Sequence, residues 1–156
     1  MKKYIKFETD LMRLFDKNKL KRFKWGVLDN NKDELVFTLD GNYAVIIPRV
    51  KFYLCDDLLD SRNEWKQFST IFNMENYVSA HVVVSDIDDK GELYYKLNSA
   101  TNEQVWVRAK NLKYFDFPAT TTFAIKNDIS PVMVFENGEL VGVVMPIRWS
   151  DKYYAV

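Results

Sequence analysis

The chain has 156 residues, 47% of them hydrophobic and 15% aromatic, with 22 basic and 22 acidic side chains. That length suits one domain with a sizeable core, and that composition excludes a disordered chain. Balanced charge excludes a protein that coats nucleic acid by bulk charge alone.

The balance is uneven along the chain. Residues 1–26 hold nine Lys or Arg against Glu8, Asp10 and Asp16, a net +6 that leaves −6 for the rest. Such a basic end suits either contact with phosphate or a solvated helix face. Within it, "ETDLMRLFD" (8–16) spaces Leu11, Met12, Leu14 and Phe15 as one helical stripe, with Thr9 placed to cap the first turn. "RFKWGVLD" (22–29) alternates Phe23, Trp25 and Val27 with polar or small residues and predicts a half-buried strand. "LVFTL" (35–39) predicts the next strand, Asp40-Gly41 a hairpin turn, and "NYAVIIP" (42–48) the return, buried on both faces and ended by Pro48.

In the middle of the chain, "KFYLC" (51–55) fits a strand. "SRNEWKQFSTIF" (61–72) predicts a helix, with Ser61 as cap and Glu64 at the capping-box position. "YVSAHVVVSDI" (77–87) and "ELYYKLNS" (92–99) predict strands joined by a turn at "DDKG", and "EQVWVRA" (103–109) follows as another. "VRAKNLKYFDF" (107–117) sets Ala109, Leu112 and Phe115 at helical spacing. "TTTFAIK" (120–126), "PVMVF" (131–135) and "ELVGVVMP" (139–146) predict three strands, the last two joined by a turn at "ENG". The order helix, strand, strand, turn, strand, proline therefore occurs twice, offset by about 98 residues from Pro48 to Pro146. This predicts an α+β fold: a single domain over 1–156, built of two pseudo-repeated α-β-β-β halves, about 1–50 and 100–149. The region 51–99 would connect them, and helices would pack on an antiparallel sheet.

Residues that could carry chemistry are sparse. His81 is the only histidine, and it stands in an apolar strand without an evident nucleophile or orienting carboxylate. One His and one Cys cannot supply a zinc shell. "DIDDKGE" (86–92) matches three positions of a calcium loop at Asp86, Asp88 and Gly91. It fails where Lys90 and Leu97 replace ligands, so a hairpin turn is the better reading. Asp56, Asp57 and Asp60 cluster without a phosphate-binding glycine loop beside them, which reads as an acidic surface loop. The expectation is no catalytic residue, no metal and no cofactor. Lone Cys55 suits a reducing compartment, and the start lacks the apolar core of a signal peptide. No run reaches the roughly 18 apolar residues of a membrane span. A cytoplasmic protein without membrane contact is expected. "KNKLKRFKW" (17–25) interleaves Lys17, Lys19, Lys21, Arg22 and Lys24 with Phe23 and Trp25, one pattern of nucleic-acid contact, though the aromatics also fit an amphipathic strand.

The C-terminal part resembles a domain of the bacterial DNA sliding clamp, the β subunit of replicative polymerases. The segment "VVMPIR" (143–148) carries the likeness, an apolar strand ending in Met-Pro-hydrophobic-Arg, which extends back through "LVGVV", "SPVMVFE", "TTFAIKN" and "VRAKNLKYFDF". Each clamp domain is built of two similar halves, which the internal echo would match. The resemblance implies a non-catalytic clamp-like accessory module, suited to a phage or mobile element, that binds double-stranded DNA or a replication or host protein. It implies phosphate contacts from Arg13 and Lys17 on a first helix and Arg108, Lys110 and Lys113 on a second. It also implies a peptide groove lined by Met145, Pro146, Ile147 and Arg148. A clamp subunit has three such domains and this chain has length for one, so a ring would need a homo-oligomer. The added tail "WSDKYYAV" (149–156) could cover the groove. The alternative implied is a small host-factor or inhibitor-type module that binds protein and not DNA.

Overall fold

Two units, Met1–Asn73 and Met74–Val156, divide the chain. The computed structural model describes residues 2–16, 22–28, 31–48, 64–65 and 71–147. The first unit opens with helix α1 (Lys2–Asp16) and continues as strands β1 (Lys24–Leu28), β2 (Asn31–Thr38) and β3 (Tyr43–Pro48). The three strands form an antiparallel meander in which Trp25 lies opposite Phe37 and Phe37 opposite Val45.

The helix starts earlier than its sequence stripe suggests, so Thr9 lies in its body and not at its start. Phe7, Leu11 and Leu14 set the buried side at i, i+4 and i+7, with Phe7 and Leu11 buried and Met12 turned outward. Phe7 meets the Phe37 ring at 5.7 Å, and Phe23 stacks on the same ring at 6.2 Å. Phe37 is therefore the centre on which helix and meander are built, through tilted and offset aromatic contacts. The β2–β3 turn is held by side chains: the Gly41 amide donates to Thr38 Oγ1 and the Asn42 amide to Asp40 Oδ1. Gly41 takes φ +83°, a conformation that a side chain would strain.

The expected helix over 61–72 is corrected at its start, at Glu64 and Trp65, while Ile71 near its expected end is helical. Glu64 forms a parallel bridge to Trp25, and the Trp65 amide donates to the Trp25 carbonyl at 2.7 Å. This extended pairing satisfies a polar group on the outer edge of β1, which outweighs the capping-box pattern. Residues 51–63 and 66–70 lie outside the described residues, and so does the strand expected at 51–55.

The second unit holds β4 (Val78–Ile87), β5 (Leu93–Ser99), β6 (Gln104–Arg108), β7 (Thr121–Ile125), β8 (Val132–Glu136) and β9 (Glu139–Val144). They pair antiparallel in the order β9-β8-β7-β4-β5-β6, so β4 and β5 lie inside the sheet between β7 and β6. Asn137 and Gly138, at φ +51° and +81°, close the β8–β9 hairpin as a two-residue turn of the type that matches strand twist.

This sheet is strongly curled. After β9 ends at Val144, the Ile147 amide already donates to the carbonyl of Trp106 in β6, at the opposite end of the strand order. Three residues reach about 11 Å at most. Five flat inter-strand steps of about 4.8 Å would separate β9 from β6 by about 24 Å. Only a sheet that rolls back on itself meets both conditions. Residues directly opposite in an antiparallel ladder share a face. By register, Val105, Val107, Leu97, Ala80, Phe123, Ile125, Val134 and Val132 fall on one continuous face, and all are buried. Tyr95, Phe117 and Phe123 pack along it as tilted rings, with centroids 4.9 and 5.8 Å apart.

The expected helix over 107–117 is corrected as well. Val107 and Arg108 complete β6, and Ala109–Leu112 is one 3-10 turn, followed by an i+3 bond from the Phe115 amide to the Leu112 carbonyl. The i, i+3, i+6 spacing of Ala109, Leu112 and Phe115 fits three residues per turn as well as 3.6. Tyr114, off that stripe, is buried too, which one α-helical face would not require. With nine strands against one α-helix among the described residues, the fold is mainly β and not α+β with helices packed on a sheet.

Leu97→Ala, at a fully buried position, should cost about 2–5 kcal/mol in denaturant unfolding. Ile147→Pro should remove the bond to Trp106 at about 1 kcal/mol and speed amide exchange in β6 while leaving β8 protected.

Candidate functional site

The candidate site is the β4–β5 hairpin, which carries a polar cluster at its turn and a strand with exposed aliphatic residues. The turn is organised by Asp88. Its Oδ1 accepts from the Lys90 and Glu92 amides, both at 2.9 Å, and the Asp88 amide donates to the Glu92 carbonyl at 3.0 Å. Its Oδ2 accepts from the Tyr94 hydroxyl at 2.9 Å, which lies 3.1 Å from Glu92 Oε2 as well. The Glu92 amide, with help from Tyr94 and Lys90, holds the Asp88 carboxyl below its ordinary range. Burial first, and then the two carboxylates, pushes the Tyr94 phenol up to about 12. Asp88 is thus committed to turn geometry, and the calcium-loop pattern resolves into a hairpin.

Glu92 also gathers two cations. Its Oε1 lies 3.3 Å from Lys110 Nζ and 3.6 Å from Arg108 Nε. Both Oε1 and Nε are buried without a well-aligned hydrogen bond, so they answer each other by charge. In such a half-exposed setting an ion pair contributes up to about 1 kcal/mol.

The barest feature is β4 itself. It pairs with β5 from Ala80 to Ile87, with a bulge between Val82 and Val84. It pairs with β7 only through Val78, Ser79 and Ala80. Extending that register places Thr121, the first residue of β7, opposite Val82. From Val83 to Ile87 no strand lies on the β7 side among the described residues. Val83, Val84 and Ile87 are 42%, 47% and 63% exposed, where the rest of the sheet hides its aliphatics. His81, also on β4, is exposed and sits opposite Asn98.

The expected DNA contacts that can be described lie on both units. On the first unit, Arg13 is exposed and paired with Asp10 at 2.8 Å, and Arg22 is exposed. On the second, Arg108 and Lys110 meet at Glu92, while Lys113 lies 4.9 Å over the Tyr114 ring. Lys17, Lys19, Lys21 and Arg148 lie outside the described residues, as do Cys55, Asp56, Asp57 and Asp60. Of the expected groove residues, Met145 is exposed, while Pro146 and Ile147 are half-buried, with the Ile147 backbone bound to β6. The bare edge was the missed feature. Its signal was present: "HVVVSDI" breaks strict alternation with three valines, in a strand about twice as long as the one it pairs with at 121–125.

No family model, no curated protein and no solved structure matches the chain. No helix among the described residues is long and apolar enough to cross a membrane.

Because folding raises the Tyr94 pKa, its stabilising share is complete below pH 10 and is lost as pH rises through about 12. Tyr94→Phe should cost about 1 kcal/mol at neutral pH and flatten the decline between pH 10 and 12, measured by guanidinium unfolding of both proteins across that range.

Proposed function

We propose that this protein is a non-catalytic interaction module that binds another protein along the free edge of β4. The observation that carries the reading is the stretch Val83–Ile87, a strand with one unpaired side and three exposed aliphatic residues. Exposed edges of this kind accept a further strand, with main-chain hydrogen bonds giving affinity and side chains giving selectivity. The neighbouring polar groups support a binding role over catalysis. Asp88 and Tyr94 serve the turn, and the Tyr77 hydroxyl, whose pKa burial raises, donates to the Pro131 carbonyl at 2.7 Å. A reducing cytoplasm suits the single cysteine.

The clamp-like reading, a module that holds double-stranded DNA or a replication protein, stands second. Arg13, Arg22, Lys110 and Lys113 are exposed and able to reach phosphate, which favours it. The pairing of Arg13 with Asp10 and of Lys110 with Glu92 lowers the charge available to DNA.

A photo-crosslinking residue at position 84 should capture one defined protein in the host cell, and the same residue at Asn137 should not. Ile87→Lys should abolish that capture. The same protein should leave a duplex DNA unshifted at both low and physiological salt. Retention of duplex that weakens steeply with salt, with no cross-link at 84, would sink the protein-binding reading in favour of the clamp-like one.

A further inference from the structure

We infer that Asn137 is a site of spontaneous covalent modification, where the side-chain amide is lost to the backbone of Gly138 and an acid is left in its place. The inference stands apart from the binding edge of β4.

The chemistry is intramolecular. The Gly138 backbone nitrogen bonds to Asn137 Cγ and gives up its proton, the Cγ–Nδ2 bond breaks, and ammonia leaves. The product is a cyclic imide. Water then opens the ring at either carbonyl. One opening leaves aspartate at 137. The other leaves isoaspartate, whose main chain runs through Cγ and is longer by a methylene. Water is the only co-reactant, and nothing is oxidised or reduced.

The step needs a nitrogen that can reach the side-chain carbon and a side chain free to meet it. Asn137-Gly138 is the only Asn-Gly pair in the sequence, and every other Asn precedes a residue whose side chain crowds the nitrogen. Gly138 brings no Cβ, and nothing lies within 4 Å of where one would stand. Both residues are exposed at the tip of the β8–β9 turn. Among the described residues, neither the Asn137 side chain nor the Gly138 amide has a hydrogen-bond partner. The turn is tied instead through the Asn137 backbone amide, which donates to the Thr120 carbonyl at 3.4 Å.

Rival positions are promising in sequence and held by the fold. Asn98 precedes the small Ser99, but the Ser99 amide donates to the Glu103 carbonyl at 3.0 Å. Asn127 Oδ1 accepts from the Ile129 and Ser130 amides at 3.0 and 2.7 Å, which fixes that side chain in its turn. Asp40-Gly41 has the glycine, but the Gly41 amide donates to Thr38 Oγ1 and Asp40 Oδ1 accepts from the Asn42 amide. An ionised carboxylate is also a poorer target for a nucleophile than an amide.

Conversion changes the hairpin through charge and through length. Glu136 and Glu139 lie opposite each other in the ladder. A carboxylate at 137 adds to like charges that weaken such a cross-strand pair. Aspartate otherwise keeps the turn, since it tolerates positive φ. Isoaspartate does not, because its added methylene spoils the match between a two-residue turn and the strand twist.

The test ages the full chain in neutral buffer and maps its peptides by mass spectrometry. Conversion of amide to acid at Asn137 should run about tenfold faster than at Asn98 or Asn127, with isoaspartate among the products. Hydrogen exchange of the aged protein should quicken at the β8–β9 turn and stay unchanged at the β4–β5 turn. Asn137→Gly, which tolerates the same positive φ, should fold as before and abolish both the conversion and the change in exchange. Conversion at 137 only after guanidinium unfolding would overturn the inference, and so would equal rates at Asn98 or Asn127. Quickened exchange at the β8–β9 turn of aged Asn137→Gly would overturn the link between the modification and the hairpin.

Discussion

Three rungs, Val78–Ile125, Ser79–Ala124 and Ala80–Phe123, join β4 to β7, and the form of the second unit follows from them. They splice the meander β7-β8-β9 to the meander β4-β5-β6 at one end of a ten-residue strand. The sheet twists strand by strand and curls until the chain leaving β9 reaches the outer edge of β6. The Ile147–Trp106 bond closes that turn. The curl wraps Val107, Leu97, Phe123 and Val134 around one interior, where burial supplies the hydrophobic gain.

The shortness of the splice leaves the rest of β4 unpaired on one side. Proteins commonly protect such an edge with charge, a bulge or a covering loop. Here the bulge and the acids of the tip are present, but Val83, Val84 and Ile87 stay in solvent. A bulge with charge deters indiscriminate pairing, while aliphatic exposure rewards a partner of the right pattern. The hairpin that carries this edge is stiffened by Asp88, which ties two amides and the Tyr94 hydroxyl into one turn.

Basic residues follow a different logic. Read along the chain, Arg13, Arg108, Lys110 and Lys113 look like members of two helical stripes. Folded, Arg108 ends a strand, Lys110 lies in a single 3-10 turn, and both answer the same carboxylate. Charge counted from sequence overstates the local field where a cation has an anion beside it.

Local chemistry was legible wherever one short-range rule decided the outcome. Asn137-Gly138 is the cheapest way to turn a hairpin with positive φ, and the alternation of Phe23 and Trp25 needs only a strand with one covered face. The valine-rich strands from 120 to 146 were readable for the same reason. Helix 107–117 and the capping box at Glu64 were misread because the i, i+3 spacing and the Ser-x-x-Glu pattern each fit more than one backbone state. The choice fell to distant partners, the core side chains that bury Leu112 and Tyr114 and the Trp25 carbonyl that needed a donor. The sequence by itself determined most of the strands and their turns, since those depend on neighbours in the chain. Which strands lie side by side, how far β4 outruns β7, and which aliphatic residues are left in water were decided only by the tertiary structure, because they depend on contacts across many residues that no local pattern encodes.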